Sequence, residues 1–310
     1  MAILVTGASG FVGQALLPLL LKKGHKVYGL SRHPPAPAEN LIPLEGDITQ
    51  PNLGLKQVPR DIRAVYHLAG IHSLRLKDKD GTIQQTNVGG TRNVLWFCEK
   101  YRIPRLFFTS TAYAWPVNPY GLSKVQNEKE IKDFAEKRGL RISIFKPSIV
   151  MASQATTLKN PTLHFSQFVS LVIRIHRRAE LVRRNIQGTL RLPVLEPVFR
   201  IKGNPRGKLN LVTVDAVAEA MANIDKEGTF WLTNPEPPTL GQLVAWVGEF
   251  IMVDMRIEPE FKPTPIEAIF QRMAAAFAPY LQGDGFPSDL ESCPITREFI
   301  HETIKRTLGD

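Results

Sequence analysis

Two cysteines, Cys98 and Cys293, are all that 310 residues contain. They lie far apart and form no C-x-x-C pair, which excludes a disulfide framework and a cysteine zinc site. The seven histidines include no H-E-x-x-H, so metal catalysis finds no support and no metal is expected. No apolar run approaches the ~20 residues that span a bilayer, and the N-terminus carries no charged leader with a cleavage site. The expectation is a soluble, cytoplasmic protein with at most peripheral membrane contact. Repeats and low-complexity tracts are absent too. No recognised nucleic-acid-binding motif is present, which argues against nucleic acid as a partner.

What is there is enough apolar material, 43% of the chain, to bury a sizeable core, at a length that suits two lobes. The net charge of +10 is unevenly placed. Arg174 to Lys208 holds ten Lys or Arg against Glu180 and Glu196, and the rest of the chain is close to neutral. Such a run is either a solvated face or a surface for an anionic substrate, an acidic carrier protein or an anionic membrane.

The first stretch, Ile3-Leu4-Val5-Thr6-Gly7-Ala8-Ser9-Gly10-Phe11-Val12-Gly13, is an apolar run that breaks into glycines and resumes as an apolar-periodic segment. It reads as strand, tight turn and helix. Gly7 supplies the turn, Gly10 the close approach of a pyrophosphate, and Gly13 the packing of helix on strand. Phosphates would sit on the helix N-terminus, within reach of Ser9, Phe11 and Val12. A second strand, Lys26 to Leu30, ends in Ser31-Arg32. A neutral Ser and an Arg at that place favour a ribose 2'-phosphate over a free 2'-hydroxyl, hence NADP (NADPH), with NAD the less favoured cofactor.

Further strands follow at Ile42 to Glu45, Ala64 to Leu68, Arg105 to Ser110 and Leu140 to Phe145, with helices from Asn87 to about Tyr101 and from Tyr120 to Lys137. This alternation gives an α/β fold, a doubly wound parallel Rossmann sheet with its ligand crevice at the carboxyl ends of the strands. From Met151 to Lys208 the rhythm breaks, with an apolar run from Phe165 to Ile175. Leu209 to Val212 and Val214 to Ile224 read as a strand and a helix returning to the first domain, and Thr229 to Thr233 as a further strand. Leu240 to Met252 is helical, and Arg256 to Asp310 is mixed and helical. The expected division is a dinucleotide domain of 1–150 and 209–234, with a smaller, mostly helical substrate lobe of 151–208 and 235–310.

Tyr120-Gly121-Leu122-Ser123-Lys124 places a phenol and an ammonium at i, i+4 on one helix face. A lysine cation there lowers the phenol pKa from about 10, so that it can exchange a proton with a carbonyl oxygen. The competing account is an exposed helix pair worth ~0.3 kcal/mol.

The T-G-x-x-G-x-x-G turn and the Y-x-x-x-K pair together resemble the extended short-chain dehydrogenase/reductase superfamily, the NAD-dependent epimerase/dehydratase-like proteins. The resemblance implies that Asp47 and Ile48 lie beside the adenine, and that Leu68, Ala69 and Gly70 lie by the nicotinamide ribose. It matches Asn87-Val88-Gly89-Gly90-Thr91 to a box whose Asn bridges neighbouring strands; an N-cap for the helix is the alternative for Asn87. It makes Thr111 the catalytic hydroxyl beside Tyr120 and Lys124, with Ser110 nearer the nicotinamide and Pro147 and Ile149 at the cofactor. One departure stands out: only eight residues separate Thr111 from Tyr120. That either opens the pocket to a bulky substrate or displaces Thr111 and leaves a cofactor-binding pseudoenzyme. Tyr113 is a substitute acid without a lysine four residues on.

Ser110-Thr111-Ala112-Tyr113, Lys146 to Val150, and Arg200 to Asn204 running into Leu209 to Asp215 look like one branch, the fatty acyl-CoA and thioester reductases related to the male-sterility family. The branch implies NADPH-dependent reduction of an acyl thioester or a long-chain aldehyde, with CoA or an acyl carrier protein as the thiol carrier. The alternatives are a nucleotide-sugar epimerase or dehydratase, a hydroxysteroid- or flavonoid-type ketone reductase, and a non-catalytic NADPH-binding scaffold. A homodimer through Gly90 to Tyr101 and Tyr120 to Lys137 is implied by the resemblance alone.

Overall fold

The computed structural model describes residues 1–73, 77–152, 198–283 and 285–308. The apolar run from Phe165 to Ile175, and most of the basic segment with it, lie outside the described residues. Among the described residues no helix is long and apolar enough to cross a membrane.

The chain divides into two units, the first formed by Met1–Thr156, Val212–Thr233 and Pro287–Glu291. Its centre is a sheet of seven parallel strands: β1 (Ala2–Thr6), β2 (Lys26–Ser31), β3 (Leu41–Glu45), β4 (Ile62–His67), β5 (Arg105–Thr109), β6 (Arg141–Pro147) and, later in the chain, Gly228–Leu232. Two short strands, β7 (Ile149–Met151) and β9 (Leu211–Thr213), form a separate ribbon, and β8 (Phe199–Lys202) belongs to the second unit. With Gly228–Leu232 as β10, the sheet order is β10-β6-β5-β4-β1-β2-β3. The reversal of winding between β1 and β4 is where a doubly wound sheet opens a crevice at the carboxyl ends of its strands.

Every residue of β1 is buried, and β5 is buried up to Thr109, as parallel strands covered on both faces require. Edge strand β3 carries Pro43, whose missing N–H costs least there. On one face Leu4, Leu30, Val65, Leu106 and Ile144 pack with Val94, Phe97 and Ile131 from two helices, α3 (Gly90–Lys100) and α4 (Pro119–Arg138). Across β4, β5, β6 and β10 the side chains of Tyr66, Phe107, Phe145 and Phe230 form an aromatic row, with centroids 4.2, 6.1 and 6.0 Å apart. Such buried rings bring roughly 2–3 kcal/mol each.

Helix α1 (Phe11–Lys22) follows the glycine turn, and α2 (Thr82–Gln84) runs through a π-helical turn (Gln85–Gly89) into α3 with right-handed helical backbone throughout. The helix expected to open at Asn87 therefore begins at Thr82, and Asn87 is not an N-cap. The strand expected at Leu209 to Val212 is present as β9, which pairs with β7 in the separate ribbon. Pro287–Glu291 returns to the first unit: Asp289 bonds through its own N–H and carboxylate to the main chain of Trp231, covering edge strand β10.

The second unit, by itself, pairs β8 in parallel with β11 (Met255–Glu258) and adds the helices Leu240–Ile251, Pro265–Met273 and Arg297–Leu308. Thr239 with Gln242, and Thr264 with Glu267, form capping boxes. Glu267 also takes the Arg200 guanidinium, 3.0 Å away, and the Arg200 N–H, tying β8 to the helix Pro265–Met273.

Candidate active site

The turn after β1 is built from contacts that exclude side chains. Gly7 has φ +72, and a Cβ there would lie 2.8 Å from the Ala69 nitrogen; a Cβ on Gly13 would lie 2.4 Å from the Gly7 carbonyl oxygen. Gly10 has an ordinary φ of −76. It precedes α1 without supplying a side-chain cap, so the first amides of α1, from Phe11 to Gly13, remain for an anion. Ser9 Oγ donates to Ser31 Oγ at 2.9 Å, which brings the turn to the end of β2. Arg32 beside it is exposed.

Asp47 closes its own loop, its Oδ1 accepting from the Thr49 N–H and hydroxyl at 2.8 Å each. Ile48 is buried against Gly90, and its carbonyl accepts from Asn93 at 2.7 Å. Both therefore sit at the end of β3 but are engaged with loop and helix. Leu68 and Ala69 return under the turn, donating to the Thr6 carbonyl and hydroxyl. Gly70 comes next: a Cβ on it would lie 3.1 Å from Asn87 Oδ1 and 3.9 Å from Lys124 Nζ.

A buried polar chain runs beneath these groups. Thr91 gives its hydroxyl hydrogen to the Asn87 carbonyl at 2.6 Å, so it accepts from His67 Nε2, 3.1 Å away. The lone pair of His67 is then on Nδ1, which accepts from the Thr6 hydroxyl at 2.8 Å. Burial, with the Lys124 charge adding to it, pushes the imidazole pKa down to about 3. His67 is a neutral link. Asn87, inside the π-helical turn, accepts from Ile71 N–H at 2.7 Å and donates to the Ile71 carbonyl and to Ser123 Oγ, both at 3.0 Å. It thus ties the segment after β4 to α4, where a bridge between neighbouring strands was expected.

Asn118 caps α4 by accepting from Gly121 N–H at 2.8 Å, and Pro119 occupies the first turn. Tyr120 meets the edge of the His72 ring, centroids 4.4 Å apart. Lys124 Nζ lies 5.8 Å from the Tyr120 ring centre and 5.0 Å from that of Phe108, and donates to the Thr109 carbonyl at 2.8 Å. Burial pushes this lysine down to about 8, a raising influence from Glu128 notwithstanding. At neutral pH it is still mostly charged.

Residues 110–112 run on beside β6, Ser110 and Ala112 donating to the carbonyls of Phe145 and Pro147 at 2.8 Å. The Thr111 hydroxyl is buried, directed at the Pro147 carbonyl 3.4 Å away, and accepts from Tyr113 N–H at 3.2 Å. Ser110 donates to Glu128, and Glu128 pairs with Lys146 at 3.0 Å. Tyr113 is buried and packs edge-on against Trp115. The short loop closes on α4 at Gly121, where a Cβ would meet the Trp115 carbonyl oxygen at 2.0 Å.

The sequence matches the NAD dependent epimerase/dehydratase family over residues 3–221, more than half of the chain. The chain belongs to that family. Similar curated relatives include the 2-alkyl-3-oxoalkanoate reductase of Stenotrophomonas maltophilia, 37% identical over 113 residues that cover 36% of this chain and 33% of that one. Cinnamoyl-CoA reductase 1 of Oryza sativa is 27% identical over 202 residues, 53% of this chain and 58% of that one. In general the chain spans about half the length, or less, of the curated relatives it matches. Among solved structures, the Thermus thermophilus UDP-glucose 4-epimerase in complex with NAD superposes with a TM-score of 0.62 at 22% identity, covering 100% of this chain and 99% of that one, a likeness of fold.

This epimerase/dehydratase-family chain thus brings Gly7, Ala69, Gly70, Asn87, Tyr120, Lys124 and Thr109 into one contact network in its first unit, with Ser110 and Thr111 on the adjoining strand end. Pro147 meets the network through its carbonyl, and Ile149 is half-buried in β7. Sequence reading gave no role to His67, His72, Glu128 or Lys146. For Glu128 a signal existed, since it follows Tyr120 by eight residues and Lys124 by four, two turns along one helix face. Among the described residues no three His, Cys, Asp or Glu are grouped to hold a metal.

Proposed function

We propose that this protein is an NADPH-dependent oxidoreductase that reduces a carbonyl, an acyl thioester or the long-chain aldehyde derived from it. The observation that carries this reading is Lys124, buried and hydrogen-bonded to the end of β5, with its ammonium facing the Tyr120 ring and the Gly70 backbone. A buried cation there suits a phenol and a ribose better than it suits a solvent-exposed helix pair. The Gly7 to Gly13 turn with its uncapped helix start fits a pyrophosphate, and Ser31-Arg32 fits a 2'-phosphate better than a bare hydroxyl. In this reading the first unit holds the cofactor and the second, with the basic and apolar segments, meets the substrate.

When bound, NADPH supplies a hydride to the substrate's carbonyl carbon. Tyr120 donates its proton to the carbonyl oxygen, Thr111 is the second hydroxyl at that oxygen, and Lys124 lowers the pKa of the phenol and holds the ribose. A thioester reduced in this way collapses to aldehyde with loss of its thiol.

The test is NADPH and NADH oxidation by the purified protein against acyl-CoAs, long-chain aldehydes and bulky ketones. Turnover with NADPH that falls about 10²–10⁴-fold in Tyr120→Phe is the expected result. A second reading, a nucleotide-sugar epimerase that retains NAD, draws on the full-length likeness to the Thermus fold. Conversion of a UDP-sugar with no net NADPH consumption would establish it instead. Trp96, Leu122 and Val125 are exposed on α3 and α4, and a homodimer through these helices is part of the proposal.

A further inference from the structure

Glu128 stands one helical turn beyond Lys124 and two beyond Tyr120 on α4. Its carboxylate is held by two other elements. From the end of β5 the Ser110 hydroxyl donates to Oε1; from β6 the Lys146 ammonium lies 3.0 Å from Oε1 and 3.1 Å from Oε2. Glu128 and Lys146 are only 14% and 11% exposed, too enclosed for solvent to screen them as it screens a surface pair. Lys146 also rests over the Trp231 ring at 4.6 Å. Ser110 follows Thr109, whose carbonyl accepts from Lys124. The same strand end is therefore gripped twice from α4, by Lys124 through main chain and by Glu128 through a side chain.

We infer that Glu128 is a positioning residue: one turn beyond Lys124 on α4, it pins the end of β5 through Ser110 and sets a carboxylate on the same helix face as the buried ammonium, with Lys146 sharing that carboxylate. The inference rests on Lys124 being the working lysine of the proposed reaction. Burial disfavours the ammonium and a carboxylate nearby favours it, and both influences act on Lys124. The groups facing this cluster are Tyr120 and Lys124 on α4 itself, the Ser110 hydroxyl and Thr109 carbonyl on β5, and Lys146 on β6. His67, at the end of β4, is coupled to Lys124 but carries no charge.

Two substitutions that both break one ion pair should move Lys124 in opposite directions. In Glu128→Gln the Ser110 bond can persist but the negative charge is gone, and Lys124 should lose its proton about one pH unit lower. In Lys146→Met the carboxylate is left without its counter-ion, and Lys124 should hold its proton to a pH higher by about half a unit. The measurement is the pH titration of the Lys124 side-chain signal by nitrogen-detected NMR of the full chain, assigned by its loss in Lys124→Arg. It needs no substrate, so an absence of turnover would count against the proposed reaction and not against this inference. Shifts of opposite sign support it; two shifts of the same sign, or none, overturn it. If Glu128→Gln fails to fold, an upward shift in Lys146→Met supports the inference and its absence overturns it. Where turnover is found, the basic limb of kcat against pH should follow the same two directions.

Discussion

His67 shows what one buried side chain costs when pH changes. Its pKa lies at about 3 in the folded protein against 6.5 for a free imidazole. The unfolded chain therefore binds the extra proton between those values, and the folded state cannot follow. The contribution of neutral His67 to stability is complete above pH 6.5 and is lost as pH falls towards 3, by up to about 5 kcal/mol. Urea unfolding at several pH values across that window should give a flatter profile for His67→Gln than for the unaltered protein, although the variant is the less stable of the two at pH 7. Equal slopes would show that His67 does not carry this acid sensitivity. The sequence marked His67 only as part of a strand end, because its neutrality follows from burial beside Lys124 and its tautomer from Thr6 and Thr91, which lie 61 and 24 residues away.

At the scale of an element, the short connection from Thr111 to Tyr120 is held by contact with a glycine. Gly121→Ala places a methyl group 2.0 Å from the Trp115 carbonyl oxygen, far inside van der Waals contact. The loop must lift from α4, at a cost of about 1–3 kcal/mol and with a loss of turnover. Gly89→Ala meets nothing within 4 Å and sits in helical backbone, so it should be neutral or stabilising by up to ~1 kcal/mol. Thermal unfolding of the two variants separates close packing from backbone propensity. Local pattern made the Tyr120 to Lys124 spacing and the Asn118-Pro119 start legible. It did not show the π-helical turn at Gln85–Gly89, where Asn87 sends its side chain to Ile71 and Ser123 while its carbonyl takes Thr91 and Asn127. Ile71, Ser123 and Asn127 are tertiary partners, and no run of residues around Asn87 announces them. Strands of three or four residues, β7, β8 and β11, are likewise too short for alternation to mark reliably.

Over the whole molecule, the alternation of apolar strands with amphipathic helices was enough to read a parallel doubly wound sheet. The return of Pro287–Glu291 to β10 was not readable, since it depends on Asp289 finding Trp231 at a distance of 58 residues. The helices α3 and α4 are joined by the Arg92 to Glu130 and Arg138 to Glu99 ion pairs while leaving Trp96, Leu122 and Val125 exposed. If these side chains meet a second copy, as proposed, light scattering will give a dimer mass, and Trp96→Glu will give a monomer with its secondary structure intact. A monomer mass for the unaltered protein would refute the proposed pairing.

The strand order also sets a timetable for synthesis. Six of the seven sheet strands have been made by Pro147, but β10 follows only at Gly228. Through that interval β6, with Phe145 on its face, is an uncovered edge on the ribosome. A chain stopped near residue 156 would carry the whole proposed Tyr120 site together with an open strand, and would be far more prone to aggregate than the chain that goes on to bring in its last strand.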